Sequence, residues 1–307
     1  MTINNLNSIV PPKLMKGDCI EIIACAKAIA LSDVDDAVSL IEQNGFIAKV
    51  NPKNFDKHHV FAGPISQRVK ILQDALDNDE IKAVFFARGG YGTIQLIDYL
   101  DFRKFSEKPK WLVGFSDITI ILTHVKKYFN IQTIHGPMPY NFKSTDEHTL
   151  NRLFDLIQGN YQSIEAPFFT LNKLGSCKGE VVGGNLSILH SMMGSKDISA
   201  INGSILFLED VDEYLYHLER MLYTMDRSGL LKNLKGLIIG QMTGMLDNKD
   251  PFGKNPYQLI YDIVKKYNYP ICFNFPIGHV AENQPIIVGA EIELDVNKDV
   301  SKITYVL

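Results

Sequence analysis

The stretch "VGFSD" (113–117) sets Ser116 where an apolar, strand-like run ends and a helical pattern opens at Asp117. A strand-to-helix bend of this kind lifts a side chain above the sheet edge, as in a nucleophile elbow. The helix behind it supplies unpaired N–H groups and a positive dipole end, which suit an anionic tetrahedral intermediate. Serine is equally a preferred helix cap, and "GFSDI" does not meet the G-x-S-x-G pattern. Position alone therefore leaves nucleophile and cap both open. The second feature is "ARGGYGT" (87–93), three glycines within four positions between a buried strand and a helical pattern. Glycine lets backbone N–H groups approach a ligand closely. The P-loop lysine and G-x-G-x-x-G are absent, so the loop reads as a tight turn or as an oxyanion donor through Gly90. Cys25, at the end of the first apolar run, is a rival nucleophile, though cysteine in such a run is usually core.

A serine nucleophile needs a base and a group that orients it. Of eight histidines, His58, His59 and His148 lie in polar stretches, and His190 lies in an apolar helix-like run. His217 stands four residues after Glu213, a helical side-chain pair. His124 follows Ser116 on its own helix, roughly 12 Å along the axis, too far to reach it. His135 and His279 remain, each ending a strand-like run, and periodicity does not separate them. Glu209 and Asp210 end the run "SILFL" and are the candidate orienting acids. Neighbours on a strand face opposite ways, so one serves and the other caps the next helix. Paired acids of a glycosidase would need a second carboxylate at a comparable strand end, and none stands out. No H-E-x-x-H or C-x-x-C spacing supports a metal site, and neither metal nor cofactor is expected.

These residues need elements to hold them. Strand-like runs at 18–26, 47–52, 81–87, 110–115 and 131–137 alternate with helical spacing over 31–46, 66–79, 93–101 and 117–129. That alternation predicts βαβ units and a parallel sheet, with the ligand crevice at the carboxyl ends of the strands. Ser116, the loop 88–92 and His135 fall there. Helical spacing over 151–160 closes a first domain (1–160), and 161–180 reads as a linker. A second domain (181–307), smaller and more β-rich, carries strands at 203–210, 234–242 and 269–279, helices over 212–227 and 256–267, and an alternating, antiparallel tail. The predicted fold class is α/β: a flavodoxin- or Rossmann-like parallel sheet followed by a β-rich α/β domain.

The 307 residues are 46% hydrophobic and 21% charged, an ordinary globular balance. A net charge of −4 argues against a nucleic-acid partner. No uninterrupted apolar stretch reaches membrane-spanning length, and the N-terminus lacks the pattern of a secretory signal. Four cysteines without disulfide-like spacing point to reduced thiols and a cytoplasmic protein.

Six ordered blocks carry a resemblance: "RGGYGTIQLIDYLDF" (88–102), "LVGFSDITIIL" (112–122), "HGPM" (135–138), "GGNLSIL" (183–189), "LFLEDVDEYLYHLERML" (206–222) and "FPIGHVAEN" (275–283). Together the chain resembles the LD-carboxypeptidase family of serine peptidases. The resemblance implies a triad of Ser116 as nucleophile, Glu209 as orienting acid and His279 as base. It implies the backbone N–H groups of Gly90 and Asp117 as oxyanion donors, and a homodimer. It also implies release of terminal D-alanine from a cytoplasmic muropeptide tetrapeptide. Arg88 is the candidate for the substrate carboxylate, with Gly89 and Tyr91 of the same loop beside it, because a guanidinium matches a carboxylate bidentately. The chain departs from the family at "ACAKAI" (24–29), where relatives carry a Pro-Ser-Ser-like segment. It departs again in "EYLYHLER", which keeps Arg220 but not the Asp many relatives place before it. Two other functions stand beside the carboxypeptidase. A self-immunity peptidase cleaving a peptide–nucleotide antibiotic would use the same triad, yet needs an aromatic platform, and Trp111 begins a predicted core strand. A non-catalytic two-lobed binding protein would explain two domains but not the alignment of Ser, Glu and His.

Overall fold

The computed structural model describes residues 8–306. In chain order the first half comprises β1 (Cys19–Ile23), α1 (Asp35–Gln43), β2 (Ile47–Val50), α2 (Ile65–Asp77), β3 (Ile81–Phe86), α3 (Arg103–Glu107), β4 (Trp111–Gly114), α4 (Thr119–Phe129), β5 (Thr133–His135) and α5 (Glu147–Ile157). β3 and β4 are almost wholly buried, as strands covered by helices on both faces should be. Ala37 and Ile41 of α1 pack with Leu153, Phe154 and Ile157 of α5 over one face. Leu72 of α2, Phe105 of α3 and Ile121 of α4 cover the other.

The second half comprises β6 (Ile164–Pro167), β7 (Gly175–Asn185), α6 (Leu186–Ser191), β8 (Ile205–Val211), α7 (Leu215–Arg227), β9 (Gly236–Thr243), α8 (Pro256–Val264), β10 (Ile271–Cys272), β11 (Ile286–Val288), β12 (Glu291–Val296) and β13 (Val300–Tyr305). The first sheet runs β11-β5-β4-β3-β1-β2, and its strands are parallel except for β11. The order 2-1-3-4-5 within it is the flavodoxin-like one. The second sheet runs β10-β9-β8-β7-β12-β13-β6, parallel over its first four strands and antiparallel beyond.

The two halves interlock. Half of the linker expected over 161–180 is strand, since β6 and the start of β7 lie in the second sheet. β11, expected in the second domain, pairs Ile286 with His135 and so extends the first sheet. Immediately after it, Gly289 N–H donates to Val181 O at 2.7 Å, tying the same segment to β7.

Two expected elements differ. The helix over 93–101 is a pair of 3₁₀ turns, Thr93–Gln95 and Ile97–Tyr99. Thr93 and Leu96 are its fully buried residues, one 3₁₀ turn apart. The strand over 269–279 is only Ile271–Cys272, because Asn274 turns left-handed (φ 58°) and Pro276 has no N–H to give a ladder.

The end of β1 is closed by Asn54, which is fully buried. Its Oδ1 accepts from Ala24 N–H at 3.1 Å and its Nδ2 donates to Ile22 O at 2.6 Å. Asn54→Ala leaves both backbone groups buried and unpaired, and is expected to cost about 2–4 kcal/mol of stability. Urea denaturation checks this: a loss below about 0.5 kcal/mol would mean that water replaces the amide.

Candidate active site

Ser116 opens a 3₁₀ turn, Ser116–Ile118, that leads from β4 into α4. Its φ is 61°, a left-handed conformation that non-glycine residues rarely adopt. The N-cap of that turn is Phe115, without a side-chain capping bond, and among the described residues the Ser116 hydroxyl has no hydrogen-bond partner. Ser116 is therefore not the helix cap. The backbone strain lifts the side chain of Ser116, a partly buried residue, above the strand end.

The glycine loop closes over this turn. A methyl group at Gly89 would lie 3.1 Å from Ser116 Cβ and 3.3 Å from Asp117 N, so the loop backbone is in tight contact with the serine turn. Gly90 follows with φ 102°. Its N–H has no acceptor among the described residues. The Asp117 carboxylate faces away into the protein, where Oδ2 accepts from Thr93 N–H at 2.9 Å and from its hydroxyl at 2.7 Å. Burial holds this carboxyl above its ordinary value, against the pull of the Thr93 bonds and of Arg68.

Glu209 lies on β8 and is 0% exposed. Its Oε2 is 2.7 Å from His279 Nδ1. Around Glu209 the pairing of β8 with β9 slips: Leu208 faces Ile239 but Asp210 faces Met242. Gly240 and Gln241 thus oppose one residue, a bulge in β9. The bulge frees Gln241 N–H to donate to Ile277 O at 2.8 Å, which holds the segment carrying His279 over the strand end. Gly278 (φ 131°) completes the fit, since a methyl group there would sit 3.0 Å from Glu209 Oε2. The His279 ring packs on the Phe115 ring at 4.7 Å between centroids, which brings the base candidate against the residue preceding Ser116. No hydrogen bond between Ser116 and His279 is formed here. Burial alone would lower His279, but the charge of Glu209 and its hydrogen bond outweigh it and hold the imidazole above its ordinary value.

The two candidates at each tied position part clearly. His135 is buried between Phe115 and Phe207, neither ring nitrogen has a partner, and burial pulls it down to about 4. Asp210 points to the start of α6, accepting from Ser187 N–H and Asn185 Nδ2, each at 2.9 Å. It thus serves the helix before β8, not the next one as expected. Burial, followed by the neighbouring Glu209 charge, pushes it up to about 7. Cys25 is fully buried and burial pushes its thiol up to about 12, which leaves it protonated and inaccessible. His217 pairs with Glu213 at 2.6 Å as expected, but Glu213 precedes the Tyr214 N-cap of α7, so the contact closes the helix start rather than lying along a helix face. The Arg88 guanidinium carbon lies 3.9 Å from the centre of the Tyr140 ring, with Nη1 donating weakly to Ala28 O at 3.5 Å. Tyr91 is exposed. The segment 24–29 borders the loop, Lys27 N–H donating to Gly89 O at 3.4 Å. Sequence reasoning did not single out Phe115, Gly240 or Gly278. The doublet "GH" at 278–279 was the available sign that a histidine follows a tightly packed backbone.

An α/β scaffold with a strained serine at a strand end, next to a phenylalanine that packs on a histidine held by a buried glutamate, has the layout of a serine hydrolase. Residues 20–136 match the LD-carboxypeptidase N-terminal domain, and residues 178–294 match the LD-carboxypeptidase C-terminal domain. The chain belongs to the LD-carboxypeptidase family. It is 30% identical to the probable murein peptide carboxypeptidase of Bacillus subtilis (strain 168), over 93% of this chain and 91% of that one. The crystal structure of muramoyltetrapeptide carboxypeptidase from Oxalobacter formigenes superposes with a TM-score of 0.86 at 27% identity, covering 94% of this chain and 98% of that one. The microcin C7 self immunity protein MccF superposes at 0.84 with 18% identity, covering 96% and 98%, a likeness of fold.

The Glu209–His279 pair sets a pH signature. The raised His279 contributes stability that is present below about pH 6.5, the unfolded value, and is lost as pH rises through the folded one. Glu209→Gln is therefore expected to lower the His279 titration midpoint seen by NMR. It should also destabilise the protein more at pH 6 than at pH 9. An unchanged midpoint would mean the carboxylate does not charge the imidazole.

Proposed function

We propose that this protein is a serine carboxypeptidase that hydrolyses the amide between an L-centre and the terminal D-alanine of a muropeptide tetrapeptide. The observation that carries this reading is the buried Glu209 hydrogen-bonded to His279, packed through Phe115 against the strained Ser116. In the proposed cycle His279 removes the proton of Ser116, and the serine oxygen attacks the carbonyl carbon. The oxyanion accepts hydrogen bonds from the Gly90 and Asp117 N–H groups. Glu209 fixes the imidazole tautomer and stabilises the imidazolium without taking its proton. His279 then protonates the leaving D-alanine amine as the C–N bond breaks. Water, deprotonated by His279, hydrolyses the ester and restores Ser116. Arg88 takes the substrate's terminal carboxylate with the guanidinium edge that its packing on Tyr140 leaves open. Gly89 and Tyr91 line the same approach. As the family resemblance implies, the proposal places the enzyme in the cytoplasm, as a homodimer acting in peptidoglycan recycling.

Trp111 is 1% exposed, which argues against its use as a platform for a nucleobase and ranks the antibiotic-cleaving reading second. A non-catalytic binding protein has no need of a buried carboxylate held on a histidine beside a strained serine.

Mass spectrometry of a tetrapeptide ending in D-alanine tests the reading. The wild type should release one alanine, and Ser116→Ala should lower kcat about 10⁴-fold or more. Release by neither protein overturns the muropeptide substrate, and equal release by both overturns Ser116. Arg88→Ala should raise KM roughly 10-fold to 100-fold with a smaller effect on kcat, the loss of one charge-assisted contact. An unchanged KM would remove Arg88 from carboxylate recognition.

A further inference from the structure

Arg68, on α2, is 1% exposed, and among the described residues it makes no ion pair with a carboxylate. The Asp117 carboxylate attracts it from beyond ion-pair distance, and burying a guanidinium is costly unless its donors are satisfied. Here they are satisfied by loop backbone. Nη1 donates to Cys25 O at 2.9 Å and to Gly92 O at 3.1 Å, and Nε donates to Gly63 O at 3.1 Å. Nη2 donates to Gln95 Oε1 at 2.6 Å, and the guanidinium lies 4.7 Å over the Phe61 ring. A methyl group at Gly92 would stand 2.7 Å from Nη1, so the arginine occupies the space that residue leaves. One planar fork thus joins the loop after β1, the loop after β3 and the entry to α2. These are the loops that diverge at the carboxyl end of the sheet, between β1 and β3, where the crevice opens.

The far end of the glycine loop is held from the other side. Thr93, next to Gly92, gives its N–H and hydroxyl to the Asp117 carboxylate, one residue beyond Ser116. Gly89 and Gly90 therefore sit on a short span pinned at one end by Arg68 and Asp117 and pressed at the other against Ser116. We infer that Arg68 is a positioning residue, whose guanidinium fixes the glycine loop so that the Gly90 N–H faces the oxyanion formed above Ser116. The inference rests on the proposed function for what the loop is used for. Lysine cannot replace the fork, because one ammonium cannot span carbonyls on three segments in fixed directions.

The test compares wild type, Arg68→Ala and Arg68→Lys in two reactions. One is D-alanine release from the tetrapeptide. The other is modification of Ser116 by an alkyl fluorophosphonate, in which the serine oxygen bonds to phosphorus and fluoride leaves, the phosphoryl oxygen needing the same donors. Displacing one oxyanion donor predicts a kcat lower by about 100-fold with KM within about threefold, and a fluorophosphonate rate lower by the same factor. Thermal denaturation establishes that the variants are folded at the assay temperature, and Arg68→Lys, which keeps the charge, carries the test where Arg68→Ala does not fold. Free guanidinium should restore part of the Arg68→Ala rate and none of the Arg68→Lys rate. A folded variant that reacts with fluorophosphonate within about threefold of wild type overturns the inference. A wild type that is labelled at Ser116 but does not cleave the tetrapeptide overturns the substrate reading instead, and the labelling ratio still decides on Arg68. A wild type that is not labelled at Ser116 overturns both.

Discussion

A carboxylate with no solvent exposure, hydrogen-bonded to one imidazole, is the constraint on which the surrounding architecture depends. An ionised carboxyl in the interior is stable only when paired and closely packed. Glu209 meets this on a central strand of the second sheet, with His279 as its partner. The packing then dictates its neighbours. Gly240 and Gly278 have no room for a side chain, and the bulge in β9 frees the N–H that anchors the His279 segment. Phe115 covers the imidazole from the first sheet. The site is thus assembled from both sheets, and β11 returning to pair with β5 locks the halves in that relation.

The other side of the crevice is built from backbone rather than charge. Ser116 sits in a left-handed conformation, Gly89 presses against it, and the Gly90 and Asp117 N–H groups have no acceptor among the described residues. Such strain persists only when surroundings over-determine it. The Thr93–Asp117 bonds and the buried Arg68 supply that over-determination. Two kinds of rigidity therefore converge: a charged pair that orients the base and a hydrogen-bonded loop frame around the nucleophile.

Much of the fold was legible because periodicity reports burial. The runs around β1, β3 and β4 are continuous and apolar, and the helices between them carry helical spacing, so the parallel sheet followed directly. The 3₁₀ turns at 93–99 were not legible, because a spacing of three fits either kind of helix and the Asp117 carboxylate that takes the Thr93 donors is distant in sequence. The return of β11 was illegible for a related reason: a three-residue apolar run does not state which sheet it joins. At the site, residue chemistry alone could not rank His135 against His279, since both end apolar runs. Their difference lies in tertiary surroundings, one imidazole enclosed by Phe115 and Phe207 and the other on a carboxylate. Arg68 looked like any charged residue on an amphipathic helix. Its spacing from Ile71, Leu72 and Ala75 puts it on the apolar stripe of the helix, but a charged side chain there ordinarily reaches solvent, so its burial was not legible.

The most direct measurement is the mass of the enzyme itself, stopped in acid milliseconds after mixing with the tetrapeptide and then mapped by peptide digestion. The account predicts a transient adduct equal to the substrate acyl group without its terminal D-alanine, located on Ser116. D-alanine release with no adduct, or an adduct on another residue, would contradict a serine nucleophile at the end of β4.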